Sequence, residues 1–132
     1  MRSNRSAKEP AAAMAEVMGC ETLVEYDVGI AGIHRTLKAV GNMVNSQVHI
    51  LIVVAGMEGA LGSLVSSITD IPVIGVPTSI GYGFGSNGIA ALASMLQTCS
   101  MGMTVVNIDN GIGAGAFAAI VANKMSTKSK SA

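Results

Sequence analysis

Charge is what this sequence has least of. Charged side chains make up 12% of its 132 residues, about half the share usual in a soluble domain. Eight basic and eight acidic residues cancel to a formal net charge of +0. That balance excludes nucleic-acid binding through bulk positive charge. Half of the chain is hydrophobic, and a small domain so poor in charge needs cover, which other subunits supply: a homo-oligomer is expected. Cysteine is scarce too. Cys20 and Cys99 do not make a disulfide framework, so a reduced, cytoplasmic protein is the expectation. Long apolar runs are missing. The uncharged stretch 71–108 is broken by Pro72, Pro77 and clustered glycines, serines and asparagines, so no membrane span is expected. The basic start, Arg2 and Arg5, has no apolar core behind it, so no secretory leader is read there. No His and Cys set has the spacing of a zinc site, and no metal ligands are assigned. The nine methionines read as pliable core and interface filler.

Glycine is what the chain has, and it sits at corners. The organising stretch is Val53-Val-Ala-Gly-Met-Glu-Gly-Ala60, read as a buried strand over 50–55 running through a glycine turn into a helix. Gly56 and Gly59 let the backbone turn tightly and leave amide hydrogens at a helix start, which suits an anion. Glu58 adds a carboxylate. It is one of three charged residues between Lys38 and Lys124, with Asp70 and Asp109.

In order, residues 1–10 form a polar N-terminal segment, loose over its first six. Residues 11–18 are strongly helix-forming, with Gly19 as C-cap. A strand is expected over 21–26 and a helix over 32–44. The run 48–55 is apolar without alternation, as in a parallel strand buried on both faces. The pattern repeats as helix 58–68, strand 73–76, a glycine-rich loop 78–85, helix 86–98, strand 103–108 and a last helix from 109 to 124. Residues 125–132 read as a disordered polar tail. The domain, 11–124, is therefore expected to be α/β: a three-layer, doubly wound parallel sheet, flavodoxin-like, with helices on both faces. Ligands in such sheets sit outside the carboxyl ends of the strands. Here those ends are Asp27-Val-Gly, Gly56-Met-Glu-Gly, Thr78-Ser-Ile-Gly-Tyr-Gly and Asp109-Asn-Gly.

Each candidate has a functional and a structural reading. Glu58 is a general base or water activator, or it complements a helix dipole, worth less than about 1 kcal/mol. Asp109 has the same two readings, with N-capping as the plainer one. Asp70, before Ile71-Pro72, is a turn residue. The loop 78–85 is a phosphate cradle or a flexible glycine loop; it lacks the lysine of a triphosphate loop. His34 and Arg35 bind an anion or form a solvated helix face. Cys99 is a nucleophile or an inert thiol at a helix end, where the dipole disfavours the thiolate. Cys20 is structural.

Four motifs carry a resemblance: Tyr26-Asp-Val-Gly-Ile-Ala-Gly-Ile-His-Arg35, Val54-Ala-Gly-Met-Glu-Gly-Ala-Leu61, Val76-Pro-Thr-Ser-Ile-Gly-Tyr-Gly83 and Val106-Asn-Ile-Asp-Asn-Gly-Ile-Gly113, with Met95-Leu-Gln-Thr-Cys99 beside them. Together they resemble the carboxylase/hydrolase of nickel-pincer cofactor synthesis. The C-terminal half of that family is similar to phosphoribosylaminoimidazole carboxylase, also called carboxyaminoimidazole ribonucleotide mutase. The resemblance implies carboxylation of nicotinic acid adenine dinucleotide by carbon dioxide, followed by phosphoanhydride hydrolysis. It makes Cys99 the nucleophile that adds to the pyridinium ring and Glu58 the acid/base group. It assigns substrate binding to Asp27, His34, Arg35, Gly56, Thr78, Ser79, Gly81, Gly83, Asp109 and Asn110, with ribose and phosphate held by Thr78, Ser79, Gly81, Gly83 and Asp109. Magnesium is a candidate cofactor, and no tightly bound organic cofactor is implied. The mutase resemblance implies purine-type chemistry with His34 as proton shuttle. The family's domain opens with a strand and a Thr-Ser-Asp type loop; that first strand is missing from this chain, which leaves a non-catalytic nucleotide-binding or oligomerising module as a third reading.

One inference is geometric. Glu58 follows a strand, whereas Cys99 ends a helix of about thirteen residues, some 20 Å along its axis. The two belong to opposite edges of one subunit, so a site using both must be shared between copies.

Overall fold

The structure is a computed structural model and describes residues 5–130. Helix α1 spans Arg5–Val17 and α2 Ile33–Asn45; strand β1, Leu51–Ala55, leads to α3, Ala60–Ile68. Strand β2, Val73–Pro77, is followed by a single 3₁₀ turn, Ser86–Gly88, and α4, Ile89–Leu96. Strand β3, Met103–Val105, and α5, Gly111–Lys130, complete the order. The three strands form one parallel sheet in the order β1-β2-β3, with Leu51 opposite Val73 and Val73 opposite Met103.

Strand alternation sorts the core into two layers. Leu51, Val53 and Ala55 turn to one face with Val40 of α2, Leu61 and Val65 of α3 and Met95 of α4. Val54, Ile74 and Val76 turn to the other with Ala7 of α1 and Ala114 and Ala118 of α5. Helices therefore cover both faces of an open parallel sheet, the expected doubly wound, flavodoxin-like α/β arrangement. The run over 50–55 lacks alternation because both faces are buried.

Small residues set the α1–α5 spacing. A Cβ on Gly111 would lie 2.1 Å from the Ala7 carbonyl oxygen, and one on Gly115 would lie 2.3 Å from that of Ala11. The two helix backbones are in contact because nothing larger stands between them.

Several boundaries differ from the sequence expectation. Helix α1 begins at Arg5, not Ala11, because Ala7, Ala11 and Ala15 make one buried stripe at helical spacing. Pro10 lies inside it and removes one amide donor. Residues 1–4 of the expected loose segment lie outside the described residues. Helix α5 runs on to Lys130, through most of the expected tail 125–132, and the Thr127 hydroxyl donates to Asn123 O within it. The expected helix 86–98 is shorter, because Asn87 adopts a left-handed φ of 61° inside the 3₁₀ turn that precedes α4.

The strand expected over 21–26 does not form. These residues have no regular structure, and Leu23, Val24 and Tyr26 are exposed. A strand needs a neighbour, and no described strand lies beside this one: a cavity separates it from the edge of β1.

Candidate functional site

The carboxyl ends of β1, β2 and β3 lie on one rim of the parallel sheet, and their loops are tied to each other. Thr78 N donates to Ala55 O, linking the β2 end to the β1 end at 2.9 Å. Asp109 N donates to Pro77 O at 2.9 Å, linking the β3 end to the β2 end. The Asp109 carboxylate then accepts from Ser79 twice, from its amide at 2.9 Å and from its hydroxyl. Gly56 is required here: an added Cβ would fall 2.4 Å from Ile80 O and 2.8 Å from the Thr78 hydroxyl oxygen. A Cβ on Gly88, at φ 83°, would fall 3.0 Å from Thr78 O.

Most of the backbone strain is on this rim. Asp27, Met57, Asn87 and Asp109 have φ values between 53° and 61°, a left-handed conformation uncommon outside glycine; Gln47, before β1, is the other such residue among those described. All four sit in loops at this end of the fold. Such residues persist where surrounding contacts over-determine them, and they cluster at binding sites. At Asp109 the over-determination is visible in its bonds to Ser79 and Pro77.

Glu58 stands exposed one residue before Gly59, which caps α3 at φ 65°. Ser79, Gly81 and Gly83 are exposed, whereas Thr78 is fully buried beneath them. Asn110 caps α5, its side-chain oxygen accepting from Gly113 N at 2.9 Å. The rim therefore presents the Glu58 carboxylate, and the starts of α3 and α5 beside it suit an anionic ligand.

A second part of the same end is built on α2. Arg35 donates to Asp27 at 2.7 Å and to Ala31 O at 3.1 Å, both partners being solvent-accessible. Arg35 is thus engaged with Asp27, not paired with His34 for an anion, while His34 is exposed in the first turn of α2. The Thr36 hydroxyl donates to Gly29 O at 2.8 Å and accepts from Gly29 N at 3.0 Å, fixing the loop between them. Lys8 joins this corner, a residue the sequence reading did not single out. Its ammonium lies 3.4 Å from Glu25 O and 5.4 Å from the Tyr26 ring centroid. Burial pushes its pKa below the ordinary lysine value, and the nearby Asp27 charge pulls partly the other way. Asn87 was also missed, although Ser86-Asn-Gly88 is a turn signature.

Cys99 is elsewhere. It follows α4 and precedes β3, so it lies at the opposite edge of the sheet from Glu58 and is exposed. Ser100 beside it donates to Ser63 O of α3 at 3.1 Å. Cys20 has polar neighbours that the sequence did not reveal: its thiol lies 3.7 Å from the Asn123 side-chain oxygen and 3.9 Å from Ala119 O. Among the described residues no three His, Cys, Asp or Glu side chains cluster as a metal site, and no helix is long and apolar enough to cross a membrane.

With this geometry in hand, known proteins give a family. The model of the AIR carboxylase family matches residues 2–132. An uncharacterized protein of Methanocaldococcus jannaschii is 56% identical over 110 residues, which are 83% of this chain and 42% of that protein. The N5-carboxyaminoimidazole ribonucleotide mutase of the same archaeon is 37% identical over 75% of this chain and 59% of its own length. That of Thermotoga maritima is 31% identical over 74% of this chain and 58% of its own length. The chain thus spans about half the length of these relatives. Its open parallel sheet, its glycine-lined rim and the match along nearly all its residues agree: this chain belongs to the AIR carboxylase family.

Proposed function

We propose that this domain carboxylates the pyridinium ring of nicotinic acid adenine dinucleotide, with Cys99 reaching the rim from a neighbouring copy in a homo-oligomer. The observation that carries the reading is the pairing of a strained, exposed, anion-suited rim with an exposed thiol on the opposite edge of the same subunit. Apolar side chains bared around both support the sharing of sites: Tyr82, Phe84 and Ile89 beside the rim loop, and Leu96 and Met101 flanking Cys99. The uncharacterized relative and the mutase are two proteins of one archaeon. That favours, for the former and for this chain, a substrate other than the mutase's.

The chemistry balances. The Cys99 thiolate adds to the ring carbon para to nitrogen, and the displaced electron pair settles on nitrogen as a neutral enamine. The open meta carbon of that enamine attacks carbon dioxide. A base removes the proton from that carbon, and expulsion of the thiolate restores the aromatic cation. Water then cleaves the phosphoanhydride, giving a pyridinium dicarboxylate mononucleotide and AMP. Glu58 serves as the base or directs the water. Ser79, Gly81, Gly83 and the helix starts behind Gly59 and Asn110 hold phosphate and ribose. Thr78, Asp109 and Gly56 fix that loop from beneath, and Arg35 sets Asp27. A magnesium ion would find the Asp109 and Glu58 carboxylates on this rim and take its other ligands from the substrate's phosphates and water.

The test is incubation with the dinucleotide and bicarbonate, read by mass spectrometry for the dicarboxylated mononucleotide. The product forms with the native chain and falls below detection with Cys99→Ser; absence of product from oligomeric native protein overturns the reading. A second reading, a carboxyaminoimidazole ribonucleotide mutase-like activity, is favoured by the mutase relatives and by His34 standing exposed at the start of α2. It predicts that His34→Asn, and not Cys99→Ser, removes activity.

A further inference from the structure

Residues 80–88 form an arch over the start of α3. Its first foot is Ile80, whose carbonyl oxygen an added Cβ on Gly56 would meet at 2.4 Å. Gly81 rests on the turn that follows β1: a Cβ there would lie 3.5 Å from the Met57 sulfur and 3.7 Å from the Met57 amide nitrogen. The second foot is Gly85, where a Cβ would fall 2.3 Å from that of Ala90. Gly59, the cap of α3, lies against α4 in the same way, since a Cβ on it would fall 2.8 Å from Ala91 O. Both feet are thus pinned around the amides that open α3.

The top of the arch stands clear. A Cβ on Gly83, at φ 79°, would meet nothing within 4 Å. On either side of it Tyr82 is 80% exposed and Phe84 is fully exposed. The chain has two tyrosines, two phenylalanines and no tryptophan, and one of each stands on this tip. What an aromatic side chain offers beyond an aliphatic one is a flat face, and nucleobases stack on such faces. The place suits a nucleotide. Met57 lies three residues before the first residue of α3, where free amides suit a phosphate. Tyr82 is one residue, ~3.8 Å, beyond the Gly81 contact with that turn. A phosphate at the start of α3 therefore has the aromatic tip within reach of its ribose and base.

We infer that Tyr82 and Phe84 are the stacking platform for the adenine of the dinucleotide, with the adjoining phosphate at the start of α3. The inference rests on the dinucleotide reading above and says which half of that substrate lies here. The pyridinium half does not suit a platform. Thiol addition makes its para carbon tetrahedral, and attack on carbon dioxide does the same to the meta carbon, so the ring leaves its plane. A ring held flat against aromatic faces resists that puckering. Adenine stays planar throughout and departs as AMP. A neighbouring copy that brings Cys99 to this rim closes over the arch, so the base lies between the aromatic tip and that copy.

The experiment titrates AMP and ribose 5-phosphate into the native protein by calorimetry. The two ligands share sugar and phosphate and differ by the base. AMP binds tighter by about tenfold or more. Tyr82→Phe keeps that difference. Tyr82→Leu, apolar but without a ring face, loses it while ribose 5-phosphate binds as before, and Phe84→Leu narrows it. Because the chain has no tryptophan, a Tyr26→Phe background leaves Tyr82 as the reporting fluorophore. AMP quenches it along the calorimetric isotherm, and ribose 5-phosphate does not. Equal affinity for the two ligands, no binding of AMP, an AMP affinity unmoved in Tyr82→Leu, or a Tyr82→Leu protein of smaller oligomeric state would each overturn the inference. Binding needs no turnover, so a missing dicarboxylated product beside intact, base-dependent AMP binding would strike the carboxylase reading alone.

Discussion

Asp109 grips Ser79 at two points, the amide through one carboxylate oxygen at 2.9 Å and the hydroxyl through the other. The loop after β3 thereby sets the loop after β2, and both are held on the edge where strands of a parallel sheet present their ligands. Replacing Asp109 by alanine removes both bonds and leaves a side chain ill suited to φ 61°. The expected cost is about 1–3 kcal/mol of stability, with a raised KM for the nucleotide. Asp109→Asn tolerates the left-handed backbone and keeps one bond, so it falls between. Urea denaturation and steady-state kinetics on the two variants check the order.

Gly56 makes a close approach to backbone on the rim. An alanine Cβ there would fall 2.4 Å from Ile80 O, a backbone atom that cannot swing aside. Gly56→Ala is expected to displace the loop over 78–81, costing about 1–3 kcal/mol as overpacking does and abolishing nucleotide binding. Gly83→Ala meets no atom within 4 Å; its cost is the positive φ alone, about 1 kcal/mol. Differential scanning fluorimetry with titrated nucleotide separates the two.

The α1–α5 contact gives a purely structural prediction. Gly115→Val would drive a branched side chain against Ala11 O, which an added Cβ already approaches to 2.3 Å. The helices must separate, and the variant is expected to lose at least about 3 kcal/mol. A thermal melt that matches the native chain would contradict the packing described.

Lys8 predicts a pH dependence. Its pKa is lowered by burial from the ordinary value of 10.5, so between the folded and unfolded values the unfolded chain binds more protons. Stability then rises with pH through that window, and the cost of burying the cation is present below it. Relative to Lys8→Met, the native chain should gain stability as pH rises through the alkaline range toward 10.5. Paired melts across that range read the sign.

Much of this was legible in the sequence. The unalternating apolar run ending at Ala55 reads as a strand covered on both faces, and glycines 56 and 59 mark turns that side chains would block. The opposition of Glu58 and Cys99 follows from parallel strands and chain order alone. Other features depend on neighbours that a local pattern does not name. Residues 21–26 are apolar enough for a strand, but pairing is supplied by another strand or not at all. The left-handed Asp27, Met57 and Asp109 are not glycines, so composition hides them. The early start of α1 follows from Ala7 meeting α5, more than a hundred residues away in sequence.

Mixed oligomers test the central claim directly. Cys99→Ser and Glu58→Gln are each prepared as inactive protein, then unfolded together, refolded and assayed for the dicarboxylated mononucleotide. If a thiol from one copy serves the rim of another, some sites regain both native groups, and activity returns to about a quarter of the native level in a one-to-one mixture. A mixture as inactive as its two components, with oligomers shown to have exchanged, would contradict the account.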